Sequence, residues 1–284
     1  MKVQHWNYYI KNSLHQLYEY NEAKSITEWL LSDVLKFKYR VQVYEEKDYI
    51  TSDYQNKLIQ QKFKRLLRYE PIQYVIHKAW FCDLEFFVCP AVLIPRPETE
   101  ELCYKILNEV NIPNASVLDI GTGSGCLAIS LKKKRPLWQL VATDISKKAI
   151  KIASCNAKRH LVNVNFMLDD VLQTTIADKT NYFDVIVSNP PYIPESEKNK
   201  MLDNVVKYEP SIALFVPDDD PIVYYRAIMK LANHILKPNG SLYLEVHEYY
   251  ADLVMQMFVE NLWNTNIDLD IHGKKRFIKA QKNG

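Results

Sequence analysis

Glycine is scarce in this chain of 284 residues. There are only six glycines, and three of them are Gly121, Gly123 and Gly125. Long apolar runs are also missing, since none approaches the roughly 20 residues that a membrane-spanning helix needs. The first residues lack the apolar stretch of a secretory signal, so we expect a cytoplasmic protein without membrane contact.

The chain has no excess of charge of one sign either. Its 36 Lys and Arg oppose 34 Asp and Glu, a formal net charge of +2. Proteins that bind nucleic acid usually show a strong basic excess or stripe, so no direct contact with nucleic acid is expected. The five cysteines form no pair or cluster with zinc spacing, which favours reduced thiols and predicts no metal site.

Residues 1–70 have the apolar spacing of helices. The segment 25–28 (Ser-Ile-Thr-Glu) matches a capping box, which predicts a helix that begins after Ser25. A second helix is indicated by the apolar residues from Ile59 to Leu67 and ends before Pro71. Its other face is basic, and such a face is either solvated or a docking surface for an acidic partner.

The rest of the chain alternates between strand and helix patterns. Residues 80–94 are aromatic and β-branched, which fits two short strands, and 96–100 opens a helix. Beyond these lie apolar strands and intervening helices, the strands at 116–120, 139–143, 165–168, 184–188 and 241–246 and the helices at 125–134 and 146–159. This alternation predicts an α/β fold with a parallel sheet covered by helices on both faces.

A glycine-rich turn, Gly121-Thr122-Gly123-Ser124-Gly125, directly follows the strand 117–120. Such a loop lets a ligand approach the backbone at the carboxyl edge of a sheet. Asp144 ends the next predicted strand, where its carboxylate can accept hydrogen bonds from both hydroxyls of a ribose. In dinucleotide-binding proteins the third glycine comes one residue later. The spacing therefore favours a nucleoside cofactor without pyrophosphate, such as S-adenosylmethionine; an NAD enzyme or a plain tight turn is the alternative.

The segment Asn189-Pro190-Pro191-Tyr192 ends another predicted strand. Two prolines make this corner stiff, which leaves the Asn189 side-chain oxygen and the Pro190 carbonyl as fixed acceptors beside a flat tyrosine ring. Two acceptors on a planar –NH₂ group direct its lone pair towards an electrophilic methyl, so alignment and electrostatics can replace a strong base. The alternative is a rigid loop that only closes the strand.

These motifs together resemble a known family. The segment 117–131 with Asp144 is similar to the cofactor half of class I S-adenosylmethionine-dependent methyltransferases, and 189–192 is similar to the signature of amino-methyltransferases. The segments 71–75 and 92–100 (Val-Leu-Ile-Pro-Arg-Pro-Glu-Thr-Glu) resemble the HemK/PrmC family. That family methylates the glutamine of the Gly-Gly-Gln motif in peptide chain release factors.

The resemblance implies a class I methyltransferase fold with a Rossmann-like sheet. It also implies that the chain has three parts. These are a small N-terminal helical domain that docks the substrate (1–75), a β-hairpin linker (76–96) and a methyltransferase domain (97–284). The expected product is N5-methylglutamine, formed with S-adenosylhomocysteine.

The resemblance also implies the roles of individual residues. Asn189, Pro190 and Tyr192 are expected to be catalytic and, with Pro191, to grip the glutamine amide of a release factor. The residues expected to bind S-adenosylmethionine are Gly121, Thr122, Gly123, Ser124, Gly125, Asp144, Asp170, Val171 and Asn189.

The chain departs from the family at several positions. The family usually has a glycine where His77 stands and another near Cys82-Asp83, and the segment 218–221 replaces a glycine-rich turn of the family. Val171 stands where an aromatic residue often lies on the adenine. Three other activities share the same motifs: methylation of a ribosomal-protein glutamine, methylation of an exocyclic amine on DNA or RNA, and cofactor binding without turnover.

Overall fold

The computed structural model describes residues 1–176 and 180–282. It divides the chain into two compact units, of which the first comprises 1–78 and 202–208. The second comprises 79–201 and the chain from Glu209 onward, so the hairpin that follows residue 78 is grouped with the second unit. Tyr208 shows how the distant segment joins the first unit, because its hydroxyl donates to the Arg68 carbonyl at 2.8 Å.

The first unit is helical around a single apolar core. Its helices before residue 79 are α1 (Val3–Leu14), α2 (Tyr20–Leu35), α3 (Gln42–Glu45), α4 (Asp53–Leu66) and α5 (Ile72–Ile76). The residues that these helices bury in the core include Trp6, Leu30, Leu31, Ile59 and Phe63. The predicted second helix is therefore confirmed as α4.

The predicted capping box at Ser25 is wrong. Ser25 lies inside α2, because Ala23 already belongs to the buried stripe of that helix and its packing extends the helix backwards. The capping box of this unit precedes α4 instead. Ser52 Oγ accepts the Gln55 N–H at 3.2 Å, and the Gln55 side chain accepts the Ser52 N–H at 2.8 Å.

The second unit contains the strands and the remaining helices except α9 (Asp203–Tyr208). A two-stranded antiparallel hairpin comes first, β1 (Ala79–Phe81) with β2 (Leu84–Phe86). The other strands are β3 (Ser116–Ile120), β4 (Gln139–Asp144), β5 (Asn165–Leu168), β6 (Phe183–Ser188), β7 (Ile193–Pro194), β8 (Phe215–Val216), β9 (Leu236–Glu245), β10 (Asn264–Leu269) and β11 (Lys275–Gln281). The helices are α6 (Pro97–Glu109), α7 (Cys126–Lys134), α8 (Lys147–Arg159), α9 (Asp203–Tyr208, grouped with the first unit), α10 (Val223–Ile235) and α11 (Ala251–Glu260).

Seven strands form one sheet in the order β10-β11-β9-β6-β3-β4-β5. The strands from β9 to β5 pair in parallel, as predicted, whereas β11 is antiparallel to both of its neighbours. The sequence analysis missed β10 and β11. The chain leaves β3 for β4 on one side and later returns to its other side as β6, which creates the switch point where open α/β sheets bind ligands.

The register of the sheet sets the place of the site. Ile120 lies opposite Thr143 of β4 and opposite Ser188 of β6. The residues that follow these three, Gly121, Asp144 and Asn189, therefore leave the sheet at the same edge. On its two faces, alternate residues of β3 enter different cores, since Val117 packs with α6 and α7 and Leu118 packs with α10 and α11.

Two features are absent from residues 1–176 and 180–282. No helix there is long and apolar enough to cross a membrane. No group of three or more His, Cys, Asp or Glu side chains there is placed to hold a metal ion.

Candidate active site

The loop after β3 adopts a backbone that glycine tolerates best. The φ angles are +75° at Gly121, +55° at Gly123 and +81° at Gly125. A Cβ atom on Gly125 would lie 2.9 Å from Ile129 Cδ1 and 3.0 Å from Ala153 Cβ, so this glycine allows α7 to pack closely on α8. A Cβ on Gly123 would meet nothing within 4 Å and would point into open space. Gly123 thus keeps space free for a ligand, whereas Gly125 serves packing.

Asn156 ties this loop to the segment after the hairpin. It is fully buried on α8, and its Nδ2 donates to the Ser124 carbonyl at 2.9 Å and to the Phe87 carbonyl at 3.0 Å. Its Oδ1 accepts the Phe87 N–H at 2.8 Å. One side chain therefore connects residues 87 and 124.

Asp144 anchors the loop from the end of β4. Its Oδ2 accepts the Gly123 N–H at 2.9 Å and its Oδ1 accepts the Ser146 N–H at 2.8 Å. Burial raises the pKa of Asp144, while these two N–H groups act in the opposite direction. A carboxylate has about four lone-pair sites, so each oxygen keeps one free acceptor. That is the number which the two hydroxyls of a ribose require.

A cleft opens at this edge of the sheet. Clefts at the switch point of an open α/β sheet are where such folds usually hold ligands. The predicted site residues that line it are Gly121, Gly123, Asp144, Asp170, Val171, Asn189, Pro190 and Pro191. Asp170 Oδ1 accepts the Leu172 N–H at 2.9 Å, which caps a short 3₁₀ helix over Val171–Gln173 and fixes one wall.

The other predicted site residues support the cleft from behind. Gly125 begins α7, and Ser124 is buried. Thr122 is buried too, and its hydroxyl donates to Asp119 Oδ2 at 2.6 Å. Burial raises the pKa of Asp119 to about 7, although the Thr122 hydroxyl and the Ala128 N–H oppose this rise.

Tyr224 and Ile228 of α10 also line the cleft, and the sequence analysis did not identify them. Tyr224 lies near Asp170, and its pKa is raised by burial and by that negative charge. No local motif marks these positions, because they reach the cleft only when α10 packs on the 3₁₀ helix that starts at Val171.

Glu209 joins two loops of the cleft rim. Its Oε2 accepts the Ile94 N–H at 3.1 Å, and its Oε1 accepts a hydrogen bond from Arg96 Nη2 at 2.6 Å. The Glu209 side chain is only 1% exposed, whereas Arg96 remains partly exposed, so a buried carboxylate is paired with a half-buried guanidinium group. The segments 91–93 and 210–213, which line the cleft, are thereby held together.

The corner at Asn189 is held by a chain of side-chain hydrogen bonds. Asn189 Nδ2 donates to Thr99 Oγ1 at 2.9 Å, and the Thr99 hydroxyl donates to Glu245 Oε2 at 2.6 Å. The Tyr192 hydroxyl donates to Glu245 Oε1 at 3.1 Å, and the Tyr192 ring meets His247 edge-on at 5.8 Å between centroids. Burial, followed by the Glu245 charge, raises the pKa of Tyr192.

Comparison with known proteins agrees with this geometry. Residues 100–209 match the family model described as "Methyltransferase small domain". The release factor glutamine methyltransferase of Bacteroides thetaiotaomicron is 41% identical over 275 residues, which cover 96% of this chain and 98% of that protein. This chain belongs to the release factor glutamine methyltransferase family. The prediction of the family is confirmed, and membership of a methyltransferase family implies the use of S-adenosylmethionine.

A second family member supports the same conclusion, and a solved structure shares the fold. The release factor glutamine methyltransferase of Flavobacterium psychrophilum is 42% identical over 221 residues, which cover 76% of this chain and 77% of that protein. The crystal structure of a methyltransferase from Pyrococcus furiosus has a TM-score of 0.52 at 18% identity and covers 71% of this chain and 90% of that chain. That likeness supports the predicted methyltransferase fold.

Proposed function

We propose that this family member transfers a methyl group from S-adenosylmethionine to the side-chain amide nitrogen of the glutamine in the Gly-Gly-Gln motif of a peptide chain release factor. The observation that carries the proposal is one cleft with two ends. One end presents Gly123 and the free acceptors of Asp144, and the other presents Asn189 and Pro190. The names of the relatives point to a release factor rather than to a nucleic acid.

The cofactor end is built from backbone and one carboxylate. Asp144 would hold the ribose through its two remaining acceptor sites. Gly121 and Gly123 would let the cofactor lie against the main chain. Asp170, Val171 and Tyr224 would border the adenine, with the Tyr224 ring supplying the apolar surface that Val171 offers only in part.

The substrate end aligns an amide. When bound, S-adenosylmethionine supplies a methyl group on a positively charged sulfur. The amide nitrogen would form the new N–C bond while the electron pair of the broken C–S bond stays on sulfur, and the methylated nitrogen would release one proton to water. Asn189 Oδ1 and the Pro190 carbonyl would accept the two amide hydrogens and turn the lone pair towards the methyl group.

Mass spectrometry of a purified release factor tests this function. After incubation with the enzyme and S-adenosylmethionine, we expect one added methyl group on the peptide that contains Gly-Gly-Gln. A release factor with this glutamine replaced should stay unmodified, and so should a reaction without cofactor. Methylation of a duplex or single-stranded DNA, or of a ribosomal protein, in preference to the release factor would refute the proposal.

We also propose that the first unit docks the release factor. Two of the basic residues of α4 already have structural partners, because Lys62 lies 3.3 Å from Asp33 and Arg65 binds Glu70 at 2.6 Å. Lys57 and Lys64 are exposed on the same helix. The double variant Lys57→Glu with Lys64→Glu should raise the KM for the release factor several-fold and leave kcat unchanged, since rim charges act mainly on association.

The matched control reverses two exposed lysines elsewhere on the first unit, Lys24 and Lys47. We expect their reversal to leave the KM for the release factor close to that of the unmodified enzyme. An equal rise of KM in both double variants would show a general charge effect and contradict a docking surface on α4.

A further inference from the structure

The single proton of the Thr99 hydroxyl can be donated in only one of its two hydrogen bonds. Thr99 Oγ1 lies 2.6 Å from Glu245 Oε2 and 2.9 Å from Asn189 Nδ2. An ionised carboxylate only accepts hydrogen bonds, so the Thr99 hydroxyl donates to Glu245. Thr99 Oγ1 then offers only lone pairs to Asn189. The Asn189 atom that faces Thr99 must therefore be the donor Nδ2.

The orientation of the Asn189 amide matters for its proposed role. With Nδ2 on Thr99, the acceptor Oδ1 is left for the cleft that Asn189 lines. A half-turn of the amide would place its –NH₂ group towards the substrate. The –NH₂ group of a substrate glutamine would then meet hydrogen-bond donors, and nothing would align its lone pair.

We propose that Glu245 and Thr99 are positioning residues that fix the Asn189 amide with its oxygen towards the substrate. This inference rests on the function proposed above. Both residues are buried, with 1% of Glu245 and 5% of Thr99 exposed, and they act through Asn189. We call the set Glu245, Thr99 and Asn189 the amide lock.

The carboxylate of Glu245 is held on both sides. Its Oε1 accepts the Tyr192 hydroxyl at 3.1 Å, and the Tyr225 hydroxyl donates to the Glu245 main-chain carbonyl at 3.1 Å. The same carboxylate thus ties both ends of the corner 189–192 to the end of β9. This fixed position matters, because a carboxylate free to turn would not define the direction in which Thr99 donates its single proton.

The lock requires that Glu245 is ionised. The titratable or charged groups that face it are Glu98 of α6, Tyr192, Tyr225 of α10 and Arg276 of β11. Burial raises the pKa of Glu245 to about 7, although the hydroxyls of Thr99 and Tyr192 and the charge of Arg276 lower it. A protonated Glu245 can donate a hydrogen bond to the Thr99 oxygen. The Thr99 hydroxyl is then free to donate to Asn189 Oδ1, so the Asn189 amide can adopt the reversed orientation. The lock therefore weakens as the pH falls through about 7.

The first test replaces Thr99 by valine, which keeps the shape and removes the hydroxyl. We expect Thr99→Val to lower kcat for methylation of the release factor by about 10–100-fold. This is the range found when residues that hydrogen-bond to metal ligands are replaced in other proteins. The KM for the release factor and the affinity for S-adenosylhomocysteine, measured by calorimetry, should not change. Thr99→Ser should restore kcat. Thr265→Val on the edge strand β10 makes the same exchange away from the lock and should match the unmodified enzyme.

A double-mutant cycle separates positioning from mere stability. In an Asn189→Ala background there is no amide to orient, so adding Thr99→Val should cost no further kcat in a single-turnover assay with labelled cofactor. Costs that simply add in the double variant would overturn the proposal. So would Thr99→Val with the kcat of the unmodified enzyme. If the unmodified enzyme does not methylate a release factor at all, the proposed function is refuted instead.

The pH profile gives an independent test. It does not use Thr99→Val, so it can decide the question even when that variant does not fold. In the unmodified enzyme kcat should fall as the pH is lowered through about 7. Glu245→Gln cannot ionise, so its kcat should lose this dependence on pH. The same fall in both proteins would overturn the proposal.

Discussion

The two ends of the cleft are built in different ways. At the end that we propose for the cofactor, hydrogen bonds from the backbone predominate: Asp144 accepts the Gly123 and Ser146 N–H groups, which lie 21 and 2 residues away in sequence. At the end that we propose for the substrate, side chains bind other side chains. Thr99 is 90 residues from Asn189 and 146 residues from Glu245, and both contacts are hydrogen bonds.

This difference explains how each end should respond to mutation. A backbone loop offers few atoms that a side-chain change can remove, so it is damaged chiefly by what is added to it. A network of side chains is damaged by what is taken away, and its members fail together. The predictions below use this contrast, from the largest expected effect to the smallest.

Gly123→Val should abolish binding of S-adenosylhomocysteine within the range of calorimetry. A β-branched residue is strained at a φ of +55°, and its side chain enters the open space of the cleft. The melting temperature should fall far less than the affinity. Normal affinity in the folded variant would contradict the role of the loop in cofactor binding.

Asn189→Ala should lower kcat by about 10²–10³, the usual cost of one preorganised polar contact at a reacting centre. Binding of S-adenosylhomocysteine should change little, because Asp144 and the glycine loop are untouched. Asn189→Asp keeps an acceptor of similar shape and should retain more activity than the alanine variant. Methylation at the rate of the unmodified enzyme in Asn189→Ala would refute the amide-holding role.

Asp144→Ala should weaken the binding of S-adenosylhomocysteine by about 1.5–3 kcal/mol, or about 10–100-fold, since it removes hydrogen bonds to a charged group. Calorimetry measures the change. Asp252→Ala on α11 is the control, because it removes an exposed carboxylate that is paired with Lys275. Unchanged affinity in Asp144→Ala would mean that this residue only orders the loop.

Tyr224→Ala should have the smallest effect. Loss of part of an apolar wall should lower the affinity for S-adenosylhomocysteine by a few-fold and leave kcat at saturating cofactor unchanged. Val171→Trp should act in the opposite direction, because it adds aromatic surface beside Asp170. A gain of affinity on removing Tyr224 would show that the ring occupies the space of the ligand.

The contrast also decides what could be predicted from sequence. Gly121, Asp144 and Asn189 could be placed at one edge because each directly ends a short apolar strand, and parallel strands align their carboxyl ends. The contacts of Thr99 and Tyr224 could not be predicted, because no local pattern records which turn of α6 or α10 faces the sheet edge. The capping box at Ser25 failed for a related reason, since the apolar stripe of α2 outweighed a local signal.

Because of Asn156, motions of the glycine loop can be measured at a residue outside the cleft. The Phe87 amide donates to Asn156 Oδ1, while the same side chain grips the Ser124 carbonyl of the glycine loop. Any opening of that loop which releases Asn156 also breaks the hydrogen bond from the Phe87 N–H, which lowers the protection of this hydrogen against exchange. Deuterium uptake at Phe87 should therefore slow when a nucleoside ligand orders the loop. Phe87 lies directly after β2 and does not line the cleft, yet its exchange rate would report on the motions of the glycine loop.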